Sequence, residues 1–436
     1  MSKRRLAELV HISPVFSRSV NIEKDVERMA TSDLDYQVTP LFRQMLRRVV
    51  EGINSPGGNR AWTVLGPYGT GKSAAMLAMV RLLGGIPDEK LRNQIKKQDP
   101  DLEPALNALL QKTGVFTPLL LTGHRGPLTP AVWETIRRAA ETISDLSDEY
   151  REAVNCCDPE DSRGVTSLLV QLAQTRPCLL IIDELGKFLE YAAQHPDRTD
   201  IYLLQLLAEA AARTVTNPLV VVTVLHQAAD RYGNYLMQSQ RQELAKVQGR
   251  FEEISFQQPA EQMLRLVAAA IELSGTEDEI TGLRSVARDI ASSLWRLGIA
   301  PFAVRESEFV NLLTSCAPLH PITALLLGPL FRKLAQSERS LFAFLTSSEP
   351  FGFQWFLSQT SDTQQLYPPD RLFDYIASAC GTSLFSSQQG RKWAIADAAL
   401  ERLCDPSETE IRLIKLIGLM GAVGDLASLR PNSSVI

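Results

Sequence analysis

The spacing of apolar and polar positions changes character along the chain. TPLFRQMLRRVVEGI (39–53) carries apolar residues at helical spacing, and Ser55-Pro56-Gly57-Gly58 then breaks the pattern. Next comes a series of short continuous apolar runs: AWTVLG (61–66), TPLLLTG (117–123), PCLLIIDE (177–184) and NPLVVVTVLH (217–226). Each is short enough for a strand and apolar enough to be buried on both faces. Helical patterns separate them, among them KSAAMLAMVRLL (72–83), TPAVWETIRRAAETI and IYLLQLLAEAAART. Strands alternating with helices predict a parallel sheet covered on both faces. The polar stretches around 86–113 and 144–162 read as insertions.

Beyond about residue 257 the strand signals fade. AEQMLRLVAAAIELSG, GLRSVARDIASSLWRLG and HPITALLLGPLFRKLAQ all have helical period, which predicts an all-α region. ALERLCDPSETEIRLIKLIGLMGAV predicts two further helices, and the polar ending SLRPNSSVI reads as a cut through a domain. The expected division is a linker and helical segment over 1–55, an α/β core over 56–257, a helical lid over 258–345 and a C-terminal helical region over 346–436.

Composition changes this picture little. The 436 residues are 45% hydrophobic and 22% charged with a net charge of −5, as in ordinary globular proteins of two or three domains. That charge gives no global attraction to nucleic acid. No apolar run is long enough for a membrane helix, and MSKRRLAELVHISP lacks the apolar segment of a secretory signal, so a cytoplasmic protein is expected. The six cysteines form no CxxC pair and no metal-ligand spacing with the five histidines, so they read as reduced thiols packed as small hydrophobes.

The chemistry lies in GPYGTGKS (66–73), which satisfies G-x-x-x-x-G-K-[ST] and sits between a strand and a helix as that motif requires. Gly66, Gly69 and Gly71 permit backbone angles and close approach that a Cβ would block, so consecutive N–H groups can face phosphates. The following helix adds the positive end of its dipole. Lys72 is placed to reach the β- and γ-phosphates and the Ser73 hydroxyl to ligate Mg²⁺. The second half of a site is CLLIIDELGKF (178–188), a strand that delivers Asp183 to its C-terminal edge, where ligands bind in such sheets. Asp183 would hold Mg²⁺ through water, and Glu184 could act as general base on the attacking water. An Asp-Glu pair after a strand is also a common helix-capping turn, but beside GPYGTGKS it points to hydrolysis.

The strand VVVTVLHQ (220–227) is expected beside the Asp183 strand. Thr223, His226 and Gln227 are its candidates to bond the γ-phosphate or the attacking water, with Gln227 or His226 nearest the C-terminal edge. Arg250, after a glycine in AKVQGRFEEISF, could act in trans as an arginine finger, or be a surface arginine paired with Glu252 or Glu253.

In this order and followed by helices, GPYGTGKS, LLIIDE, VVVTVLHQ and GRFEEI resemble an AAA+ or STAND-class P-loop ATPase of the origin-recognition-like branch, as in large bacterial ATPases of phage-defence islands, including the BREX type. The resemblance covers roughly residues 15–345. It implies a doubly wound α/β P-loop sheet, an all-α lid, and a partial, winged-helix-like C-terminal region begun by LIKLIGLMGAVG. It also implies an ATP- and Mg²⁺-binding loop of Gly66, Pro67, Tyr68, Gly69, Thr70, Gly71, Lys72, Ser73 and Ala74. Asp183 and Glu184 become the Walker B pair, Gln227 or His226 resembles sensor 1, and Arg250 resembles the finger. SVNIEKD and DYQVTP look like the N-linker that packs on adenine, with Tyr36 as contact. LHPITALLL is similar to the Gly-x-Pro helix start of STAND proteins, with Pro321 against the base, although Leu319 stands where the glycine belongs.

Two functions follow. One is an oligomeric ATPase that remodels or loads onto DNA or protein. The other is a signalling switch that turns over slowly and recruits an effector protein encoded elsewhere. No LSGGQ-like signature or helicase motif series supports other P-loop classes. Arg43, Arg47 and Arg48 cluster in FRQMLRRVV, but basic residues at that spacing read equally as a solvated helix face, so a DNA role rests on family analogy.

Overall fold

The structure is a computed structural model that describes residues 5–17, 20–29, 34–195, 201–214, 217–226, 244–334, 341–380, 390–427 and 429. The chain divides into two compact units, one of residues 19–257 and one of residues 1–18 with 258–436.

The first unit is built on five parallel strands. They are β1 (Ala61–Leu65), β2 (Thr117–Thr122), β3 (Cys178–Asp183), β4 (Leu219–Leu225) and β5 (Glu252–Ser255), in the order β2-β3-β4-β1-β5. Every residue of β3 and β4 is buried, which is why both read as unbroken apolar runs rather than alternating ones. On one face Leu180, Ile182, Val221 and Leu225 pack under helices α4 (Leu128–Thr142), α5 (Ser162–Thr175), α6 (Gly186–Gln194) and α7 (Ile201–Arg213). On the other face Trp62, Val64, Ile181, Val222 and Val224 pack under α1 (Ile22–Met29), α2 (Pro40–Asn54) and α3 (Lys72–Leu83). Helix α2 begins where TPLF predicts: the Thr39 hydroxyl accepts the Phe42 N–H at 3.2 Å and Pro40 supplies a residue with no N–H to satisfy. The polar insertions are helical, at Glu89–Gln98, Leu102–Thr113 and Asp148–Cys156.

Register fixes what meets at the C-terminal edge. Leu65 pairs with Leu225, Ile182 with Thr223, and Thr122 with Asp183. Strand β4 therefore lies between the strand that feeds the glycine-rich loop and the strand that ends in Asp183.

The second unit is helical, as its periodicity predicts, with one addition. Val10–Ile12 pairs antiparallel with Ile271–Leu273, so residues 1–18 belong to this unit rather than continuing with 19–55 as one segment. Among the described residues its hydrophobic core is one cluster, from Leu6 through Leu264, Phe309, Phe344 and Tyr367 to Leu429, which spans both sides of residue 345. Among the described residues after Leu273 every regular element is a helix, so no wing strand accompanies Glu408–Ala427. No described helix is long and apolar enough to cross a membrane.

Candidate functional site

The loop from Gly66 to Gly71 leaves β1 and enters α3 through two left-handed glycines, Gly69 at φ +70° and Gly71 at φ +84°. Gly71 occupies the N-cap of α3 without any side chain to close it, which leaves the first helical N–H groups facing the loop's concavity. Gly66 is required for space rather than for φ: a Cβ there would lie 2.3 Å from the Phe256 carbonyl oxygen. Thr70 braces the loop by donating its hydroxyl to the Pro67 carbonyl at 2.9 Å.

Lys72 is nearly buried, and its ammonium donates to the Gly66 carbonyl and, at 2.7 Å, to the Pro67 carbonyl. Burial pushes its pKa down to about 8, against the opposing pull of Asp183 and Glu184. A lysine bonded to its own loop's carbonyls is a donor set that phosphate oxygens can take over.

Asp183 closes β3 and is buried. Burial raises its pKa, opposed by the Ser73 hydroxyl and by the Glu184 N–H, which donates to Oδ1 at 2.9 Å. Among the described residues no group of three His, Cys, Asp or Glu side chains could hold a metal. Ser73 and Asp183 instead offer two hard oxygens side by side. This suits Mg²⁺, which keeps several waters and takes the rest of its shell from phosphate. The Thr122 hydroxyl, one strand over and in register with Asp183, is buried without a hydrogen-bond partner.

Glu184 turns the chain out of β3 at φ +53°, a conformation a non-glycine residue holds only under constraint. Gly123 makes the turn possible: a Cβ there would lie 2.1 Å from the Glu184 carbonyl oxygen. The Glu184 carboxylate pairs with Lys187 through Oε2 and faces His226 Nε2 across 3.8 Å through Oε1. That 3.8 Å is an ion-pair distance and not a hydrogen bond, and both His226 nitrogens are buried without a hydrogen-bond partner. His226 and then Lys187 hold the carboxyl near 2, against the burial that would raise it. The His226 ring in turn lies flat against Tyr68 of the loop, centroids 3.5 Å apart and planes 19° apart.

Lys72, Ser73, Asp183, Glu184 and His226 thus meet at one edge of the sheet, with Gly66 to Ala74 forming the cradle. Gln227 lies outside the described residues. Arg250 stands just before β5 at the opposite, N-terminal edge, where it pairs at 3.1 Å with Glu209 rather than with Glu252 or Glu253. Six residues of strand separate its level from Gly66, about 20 Å. It cannot serve its own loop. Tyr36 packs edge-on against Phe42 with ring centroids 5.0 Å apart, and its hydroxyl bonds Thr39. Pro321 opens the helix Pro321–Leu334 of the second unit.

The basic cluster on α2 is engaged. Arg43 donates to the Gln98 carbonyl, Arg47 binds Asp99 and Glu51, and Arg48 lies 3.5 Å from Glu252. Cys178 and Cys316 are buried thiols pushed up to about 12 by desolvation.

Sequence reasoning passed over Tyr68 as a contact for His226, Gly123, Thr122 and Lys187. The glycine closing TPLLLTG and the lysine three residues after Glu184 were the available signals, but neither identifies its partner.

No protein-family model and no curated protein matches the chain. Among solved structures it is similar to Cdc6p from Pyrobaculum aerophilum, at 13% identity over 97% of this chain and 86% of that one, with a TM-score of 0.40. It is also similar to the Aeropyrum pernix ORC2 protein in its ADPNP-ADP complexes, at 13% identity, 95% and 90% coverage and a TM-score of 0.32. A third is the Walker-type ATPase paby2304 of Pyrococcus abyssi, at 12% identity, 87% and 88% coverage and a TM-score of 0.32. Likeness this distant carries no weight for activity, which rests on the geometry of the site.

Proposed function

We propose that this protein binds ATP with Mg²⁺ and hydrolyses it as an AAA+-like P-loop ATPase. The observation that carries the reading is the meeting of the Lys72–Ser73 cradle with the Asp183–Glu184 pair at one sheet edge, with β4 inserted between their strands. On nucleotide binding, Lys72 exchanges the Gly66 and Pro67 carbonyls for β- and γ-phosphate oxygens. Ser73 and Asp183 would hold Mg²⁺, which would supply charge neutralisation at the phosphates. Glu184 accepts a proton from the attacking water, and His226 offers an unpaired ring nitrogen to that water or to the γ-phosphate.

Positive charge from Arg250 reaches a nucleotide only across a contact between copies, so the reading includes a homo-oligomer in which each copy completes its neighbour's site. Action on DNA or on partner proteins, a cytoplasmic setting in phage defence, and base contacts by Tyr36 and Pro321 are proposals that rest on the resemblance. A second reading, a slow nucleotide-dependent switch that recruits an effector, is favoured by the grip on Glu184: one carboxylate oxygen is paired with Lys187 and the other faces His226, so neither stands ready to take a proton from water.

The test is phosphate release by the wild type and Glu184→Gln at saturating Mg-ATP. Loss of a general base lowers turnover by about 10²–10⁴-fold with nucleotide still bound. Equal turnover in the two proteins refutes the role of Glu184. Wild-type turnover near the Glu184→Gln background, with nucleotide retained through purification, favours the switch.

A further inference from the structure

Lys187 stands in the first turn of α6, and its backbone N–H donates to the Glu184 carbonyl at 3.1 Å while its ammonium pairs with the Glu184 carboxylate. The two residues are therefore joined through main chain and side chain at once. Glu184 is the one acid that Lys187 meets among the described ion pairs. The pair does little for stability: Lys187 is 43% exposed, and water and salt weaken such bridges. Its consequence is local to the carboxylate, because a general base needs an oxygen lone pair aimed at the water it deprotonates. Here one oxygen is taken by the ammonium and the other faces His226, whose ring is itself held flat by Tyr68.

We propose that Lys187 is a positioning residue that holds Glu184 in a resting setting, and that hydrolysis requires the Lys187–Glu184 pair to open. This rests on the ATPase reading above. The hold is a brake and not a block, since a half-exposed ion pair is weak enough to break at a cost of a few-fold in rate. Lys72 and Ser73 do not touch Lys187, so nucleotide affinity is independent of the brake. An exposed pair is also screened by salt, so the brake weakens as ionic strength rises.

The experiment compares the full chain with Lys187→Met and Lys187→Arg. A fluorescent ATP analogue gives Kd, and phosphate release at saturating Mg-ATP gives kcat, each at low and high salt. Lys187→Met is expected to raise kcat about two- to fivefold with Kd and KM unchanged. Lys187→Arg restores the slow rate. The wild-type rate rises with salt relative to that of Lys187→Met, a readout that a merely structural lysine would not move. A Lys187→Met protein that binds nucleotide normally but turns over no faster than wild type overturns the inference. If Glu184→Gln is inactive at the same time, the ATPase reading stands without the brake. If Glu184→Gln is as active as wild type, both fall.

Discussion

Gly123→Ala isolates the placement of Glu184 from the binding of nucleotide. The new Cβ would lie 2.1 Å from the Glu184 carbonyl oxygen, 2.8 Å from its carbonyl carbon and 3.1 Å from the Asp183 carbonyl oxygen. These are backbone atoms and cannot swing aside as a side-chain end would. The Gly123 N–H also donates to the Asp183 carbonyl at 2.8 Å, so the two strand ends are tied where they would be forced apart. Ordinary contact lies near 3.5 Å, so full relief of the 2.1 Å contact takes a separation of about 1.4 Å. Overpacking of this kind costs about 1–3 kcal/mol of stability. A 1 Å displacement of a catalytic group costs on the order of 10²-fold in rate. Phosphate release should therefore fall by about 10²-fold while the Kd for nucleotide without Mg²⁺ changes little, because Lys72 and its loop stand on a different element, whereas Asp183 moves with the strand end. Gly114→Ala is the control. Gly114 has φ +81° and ψ 179°, a nearly glycine-only conformation, and nothing within 4 Å of an added Cβ, so alanine there should lose about 1–3 kcal/mol of stability with turnover intact. A Gly123→Ala protein with wild-type kcat would refute the argument that this contact sets Glu184.

Two further outcomes follow from the same geometry. Free Lys72 titrates near 8, below its ordinary value of 10.5, and a bound phosphate raises it, so ATP binding takes up a proton above pH 8 and affinity falls as pH rises through that range. Calorimetry at pH 8.5 in buffers of different ionisation heat should show that uptake, and zero uptake would contradict the buried, depressed ammonium. Glu184→Gly should be more stable than Glu184→Ala by about 1 kcal/mol, since both lack the carboxylate but only alanine is penalised at φ +53°. Thermal melts compare the two directly, and equal midpoints would show that this residue is not held left-handed.

What was legible in the sequence was what neighbouring residues decide together. β1 to β4 could be read from short apolar runs bounded by turn residues, most clearly CLLIID and LVVVTVL, whose every residue is buried. The shape of the loop was legible because Gly69 and Gly71 bend one local turn into a helix, although the need for Gly66 comes from the distant Phe256 carbonyl. β5 was fainter, because EEIS is a short edge strand with one buried residue.

Tertiary structure alone decided the rest, because it depends on pairs far apart in the chain with no periodicity to announce them. Strand order placed β4 between the two halves of the site and put Thr122 beside Asp183. It sent Arg250 to the edge opposite its own loop and gave it Glu209 as partner. Gly123 reads as the end of an apolar run until the Glu184 carbonyl is seen against it. His226 reads as a polar strand tip until Tyr68, 158 positions earlier, is found stacked on its ring. A local motif states its own shape through the backbone it bends, whereas the setting of Glu184 depends on which distant atoms the closed sheet brings into contact.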